Sequence, residues 1–176
     1  MNSTNFFNDL HDIRCNQQYD GLPYSFHLNA VRKQFTKYQY LITNLPHEYL
    51  ERFGNTFEIS IAIDGHDSIE DGRLTYNDLK DRFSVRVAEM IYLCTEDKGR
   101  TRNDRKSDKW YEELKQNKCA VFVKLCDIMA NSKYSLLMNS TMFEKYKSEY
   151  FAKVKPHLYC EEFSVMFEDL EKIFNC

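Results

Sequence analysis

Residues 65–72, GHDSIEDG, bring one histidine and three carboxylates into six consecutive positions, directly after the apolar run Ile59, Ile61, Ala62, Ile63. On a helix over 66–71, Glu70 falls four residues from His66 and three from Asp67, and Asp71 falls four from Asp67, so the four ionisable groups converge. Carboxylates held that close raise at least one of their own pKa values unless a cation sits among them. Neutral imidazole together with carboxylate suits a divalent Mn, Fe, Zn or Co ion. The alternative is a charged helix end, whose acids complement the macrodipole and need no metal.

A metal requires further ligands. The chain offers His11, His27, His47 and His157, and it carries Asp127 inside the apolar stretch VFVKLCDIMAN. With Lys124 three residues before it and Asn131 four after it, Asp127 either faces solvent on a polar stripe or is paired. A second feature is KGRTRNDRKSDK, residues 98–109, with six basic and two acidic side chains. It reads as a charged, partly mobile connection that can meet the phosphates of a nucleotide or simply be solvated.

The elements that must position these groups are helical. Five glycines and three prolines are too few for an all-β chain that needs frequent turns. A first helix is expected over 2–17, broken at Asp20-Gly21-Leu22-Pro23, and a second from His27 into 38–45. Pro46 fits N1 of a third helix running to Ile63, and Thr75 fits an N-cap with Asp78 closing an acidic capping box. Further apolar faces run over Val85–Tyr92, Trp110–Leu114, Ala120–Met129, Met142–Val154 and Phe163–Phe174, with Pro156 marking the last break. At 176 residues the chain is expected to form one domain, 1–176.

A net charge of −3 implies no general attraction to nucleic acid or anionic membrane, and no stable nucleic-acid partner is expected. No apolar run approaches the about 20 residues of a membrane span. The six cysteines form no CxxC pair and the N-terminus shows no signal-peptide pattern, so a reduced, cytoplasmic protein is expected, its thiols serving as small apolar fillers.

Taken in order, PYSFH (23–27), HDSIED (66–71), TEDKGRTR (95–102), VKLCDIMAN (123–131) and SEYF (148–151) resemble the HD-domain hydrolases of the RelA/SpoT class, in particular the small alarmone hydrolases. The resemblance covers roughly residues 6–174 and implies an all-α HD-domain bundle of about eight to ten helices. It implies His27, His66, Asp67 and Asp127 as ligands of Mn2+, or of another divalent transition metal, and Glu70 and Asp71 as the pair that orients and activates the attacking water. It further implies Asn131 and Tyr150 as lining of a nucleotide pocket, and Lys98, Arg100 and Arg102 as phosphate contacts. The implied activity is (p)ppGpp 3'-pyrophosphohydrolysis. Other phosphorylated nucleotides, including NADPH at its 2'-phosphate and cyclic or oligonucleotide signals, belong to the same chemistry, and a nucleotide-sensing module without turnover is the alternative outside it. Three departures stand out: CNQQYDG (15–21) lacks the basic cluster usual in that class, Leu28 replaces proline, and Asp64-Gly65 stands where apolar residues are common.

Overall fold

The longest helix of the chain is buried over most of its length, and other helices pack around it. The computed structural model describes residues 2–175, so Cys176 lies outside the described residues. In chain order the helices are α1 (Ser3–Asp9), α2 (Ser25–Tyr38), α3 (His47–Phe53), α4 (Thr56–Gly65), α5 (Tyr76–Arg82), α6 (Val85–Cys94), α7 (Arg102–Arg105), α8 (Asp108–Leu114), α9 (Lys118–Leu137), α10 (Met142–Glu149), α11 (Lys155–Leu158) and α12 (Ser164–Phe174). Ten of these have seven residues or more, which makes the expected all-α bundle. Every residue of α9 from Cys119 to Ala130 is buried, as an apolar circumference requires. The Asn117 side chain starts that helix by accepting from the backbone N–H groups of Cys119 and Ala120. α2, α4, α6, α10 and α12 all pack on it. Among the described residues no helix is long and apolar enough to cross a membrane.

The first segment is α1 followed by a π-helical turn over Leu10–Arg14, and this winding buries His11 completely. The Asp-Gly break is a hairpin in which β1 (Gln18–Tyr19) pairs with β2 (Leu22–Pro23). Asp20 (φ 51°) and Gly21 (φ 80°) give the two left-handed positions of its tight turn.

The helix expected over 46–63 is two helices. Gly54 adopts φ 136°, which ends α3, and Asn55 then caps α4 in a reciprocal box with Glu58. The buried Glu58 carboxylate is held by Arg86 Nε at 2.9 Å and Ser84 Oγ at 2.9 Å. Burial alone would raise its pKa, but the Arg86 guanidinium, the Asn55 N–H and the Ser84 hydroxyl keep it below the ordinary range. Thr75 and Asp78 form the anticipated capping box at the start of α5.

Two other expectations are corrected. Pro156 does not break the chain; α10, a π-helical turn over Tyr150–Val154 and α11 wind on through it, and the path turns only at Tyr159. The charged segment is not a mobile connection either. Thr101 caps the short α7, and Arg105 pairs with Glu96 at 3.1 Å while Arg102 pairs with Glu149 at 2.6 Å.

Asp64 and Gly65 tie the terminus to the site. Asp64 is buried, bound by Arg32 Nη2 at 2.6 Å and by the hydroxyls of Ser3 and Thr4, both at 2.9 Å. It thereby joins α1, α2 and α4. A Cβ on Gly65 would stand 2.4 Å from Phe7 Cζ and 2.9 Å from Ile91 Cδ1. Gly65→Ala is therefore expected to destabilise the protein by about 1–3 kcal/mol through overpacking, read from the urea midpoint. An unchanged midpoint would mean that Phe7 moves aside at no cost.

Candidate metal centre

The four side chains come from three buried elements. His27 lies in the first turns of α2, His66 caps the C-terminus of α4, Asp67 follows it, and Asp127 sits mid-way along α9. His27 Nε2 stands 3.2 Å from His66 Nε2, 3.4 Å from Asp127 Oδ1 and 3.6 Å from Asp67 Oδ2. His66 Nε2 stands 2.9 Å from Asp67 Oδ2 and 3.7 Å from Asp127 Oδ1. With metal–ligand bonds of 2.0–2.2 Å, neighbouring ligands of a tetrahedral or octahedral ion are about 2.8–3.6 Å apart. His27, His66 and Asp127 each bring one donor atom within 4.8 Å of the other two, so these three fit a divalent ion on spacing as well as on chemistry, and Asp67 Oδ2 stands beside both imidazoles.

Its electrostatics fit also. His66 donates Nδ1–H to the Ile63 carbonyl at 3.0 Å, which leaves the Nε2 lone pair directed at the cluster. Burial would lower the pKa of His66, yet Asp67 and Asp127 push it up to about 10. Asp67 and Asp127 lie well below the ordinary carboxylate range despite their burial, Asp67 held there by His66 and Asp127 by Lys124 and the histidines.

A surrounding layer of hydrogen bonds fixes the ligands. Tyr24 donates to Asp67 Oδ2, and Lys124 Nζ stands 3.1 Å from Asp127 Oδ2. Asn131 Nδ2 donates to Asp127 Oδ1 at 2.5 Å, and the Tyr19 hydroxyl donates to Asn131 Oδ1 at 2.8 Å. The Tyr19 ring also stacks on His27 at 4.8 Å.

Over this floor lies a cavity of about 270 Å3, with Glu70 and Asp71 exposed at its rim. The segment 66–71 is a run of turns, not the helix expected, because α4 stops at Gly65. Among the described residues Glu70 has no hydrogen bond or ion pair; partial burial raises its pKa, and Glu96 and Asp67 raise it further. Asp71 is raised by burial and by Asp67, while its Oδ2 accepts from Gln17 Nε2 at 2.8 Å. Gln17 Oε1 lies 2.6 Å from Nδ1 of His11, a ring that stacks on Tyr24 at 4.7 Å. His11 stands outside the cluster of His27, His66 and Asp127; burial lowers its pKa, and it orients the amide that orients Asp71.

Of the residues singled out in the sequence, His27, Asp67, Asp127, Glu70, Asp71, Asn131 and Arg102 reach the cavity, and His66 lies beneath it. Three do not. Lys98 and Arg100 are exposed and form no part of the cavity wall, because α7 turns the chain inward only from Arg102. Tyr150 is fully buried and donates to the Phe167 carbonyl at 3.1 Å; Tyr146, one turn earlier, is the tyrosine in the wall. His47 is exposed beside Glu51 and His157 stacks on Tyr111, both away from the cavity.

Sequence reasoning missed Lys106, Glu96 and Glu149, an ion-pair group at the far wall in which the lysine is buried and the two acids are half-buried, and gave no role to Tyr19 and Tyr24. The Tyr24 signal lay within PYSFH; the ion pairs have none, since their partners are distant in sequence. No protein-family model matches the chain, and no curated protein matches it. The functional reading accordingly stands on the residues and their geometry.

Proposed function

We propose that the protein is a metal-dependent phosphohydrolase acting on a phosphorylated nucleotide. The observation that carries the reading is the convergence of His27, His66, Asp67 and Asp127 beneath a cavity whose rim holds an unpaired carboxylate, Glu70. A divalent transition ion held by that set, Mn2+ on the family resemblance, would make a water nucleophilic near neutral pH and withdraw charge from a phosphoryl oxygen. The chain's own residues supply the rest. Glu70, free of other partners and raised in pKa, accepts the proton of the attacking water. Asp71, fixed by Gln17, orients that water. Asn131 and Tyr24 hold the ligand carboxylates in place, while Lys124 balances the charge of Asp127 inside the protein.

Guanosine 3'-pyrophosphate, the substrate the resemblance implies, heads the compounds to assay, with other phosphorylated nucleotides beside it. The experiment is to follow orthophosphate and pyrophosphate release from that panel with Mn2+ and after chelation. Release that depends on metal is the expected result. No release from any compound by metal-loaded protein would contradict the reading and favour a nucleotide-sensing module.

A further inference from the structure

We infer that the substrate of this site carries a single phosphoryl group, as in a nucleoside monophosphate, and not two separate pyrophosphate arms. The inference rests on the phosphohydrolase reading and narrows it. Six carboxylates line the cavity: Asp67, Glu70, Asp71, Glu96, Asp127 and Glu149. Three cations face them, Arg102, Lys106 and Lys124. Two charges from a bound divalent ion leave that wall still negative.

Each of the three cations is already committed. Lys124 pairs with Asp127 at 3.1 Å, Arg102 pairs with Glu149 at 2.6 Å, and Lys106 lies between Glu149 and Glu96, 3.2 Å from the latter. Lys106 and Lys124 are 6% and 5% exposed, so neither can swing out to a distant phosphate. The opposite lip adds no positive charge. Gln17 presents a neutral amide there, bonded to Asp71, and no lysine or arginine occurs between Cys15 and Tyr24. Lys98 and Arg100 lie outside the wall.

One phosphoryl group brings about 1.5–2 negative charges at neutral pH, and in this wall only direct contact with the ion offers them an uncommitted positive charge. Every additional arm needs a cation of its own, and releasing one here means breaking the Arg102 pair with Glu149 or drawing Glu149 or Glu96 off the buried Lys106.

The test compares nucleoside 3'- and 5'-monophosphates with guanosine bis(diphosphate) on the Mn2+-loaded protein, by kcat/KM. The same compounds are titrated calorimetrically, at fixed ionic strength, into Mn2+-loaded Glu70→Gln. A monophosphate is expected to be favoured about tenfold or more in both measurements. Glu149→Gln, which frees Arg102 and leaves Lys106 paired with Glu96 alone, is expected to shrink that preference about tenfold. Equal or better turnover and binding of the bis(diphosphate) by the wild-type cavity would overturn the inference while leaving the phosphohydrolase reading standing. If metal-loaded protein releases phosphate from none of the compounds, that reading falls and the inference with it.

Discussion

Asp127→Ala is expected to remove metal binding and activity together and to lower stability by about 3–5 kcal/mol. Asp127 does two jobs. Its Oδ1 faces both imidazole nitrogens, at 3.4 Å and 3.7 Å, and its Oδ2 is the only ion-pair partner of Lys124 among the described residues. Truncation therefore leaves a buried lysine ammonium without its ion-pair partner, the costly half of a broken buried pair. The same change deletes a ligand, which is expected to weaken Mn2+ binding by more than about 100-fold, beyond what loss of an outer hydrogen bond costs. Calorimetric titration with Mn2+ and a urea melt, each on the metal-free protein, separate the two effects. Asp127→Asn, which keeps the side-chain volume, should show the same loss of metal. Retention of full affinity by either variant would remove Asp127 from the ligand set.

Glu70→Gln is expected to do the opposite: Mn2+ affinity stays within a few-fold of wild type while turnover falls about 10²–10⁴-fold. Glu70 forms no hydrogen bond or ion pair among the described residues and sits at the rim, so the amide disturbs neither packing nor ligands. What it removes is the proton acceptor. Stability is expected to change by less than about 0.5 kcal/mol, as for a surface position. A fall in kcat with KM little changed is the signature of a group used in the transition state and not in binding. Unchanged turnover would transfer the base role to Asp71, whose own carboxylate is tied to Gln17.

The difference between these two acids shows what the sequence disclosed and where it stopped. An aspartate flanked by Val123, Leu125, Ile128 and Met129 stood out in the sequence, which left open whether it faces solvent or is paired; the fold buries and pairs it. Lys124 at minus three and Asn131 at plus four were its nearest polar neighbours in sequence, and both bond to it in the fold. Helical spacing was the wrong guide for Glu70 and Asp71. Their positions depend on where α4 ends, and it ends at Gly65, where Phe7 and Ile91 leave no room for a side chain.

The same limit applies elsewhere. Asn55 and Glu58 had the spacing of a capping box, so the division of the third helix at Gly54 was legible in principle. Tyr146 and Tyr150 are four residues apart on one helical run, and periodicity cannot tell which meets the cavity and which meets α12. Lys106 looked like one more charge in a basic loop, because nothing local marks Glu149, 43 residues away, as its partner. Long-range ion pairs are set by tertiary packing alone. They also decide the charge of the wall, which is why motif order suggested a highly charged substrate and the folded cavity suggests a smaller one.

The most direct test is a crystal structure of the protein grown or soaked with Mn2+, with data collected at the manganese absorption edge. The account predicts one anomalous peak about 2.0–2.2 Å from Nε2 of His27, Nε2 of His66 and a carboxylate oxygen each of Asp67 and Asp127. Saturating Mn2+ with no peak between α2, α4 and α9, or a peak coordinated by other residues, would contradict it.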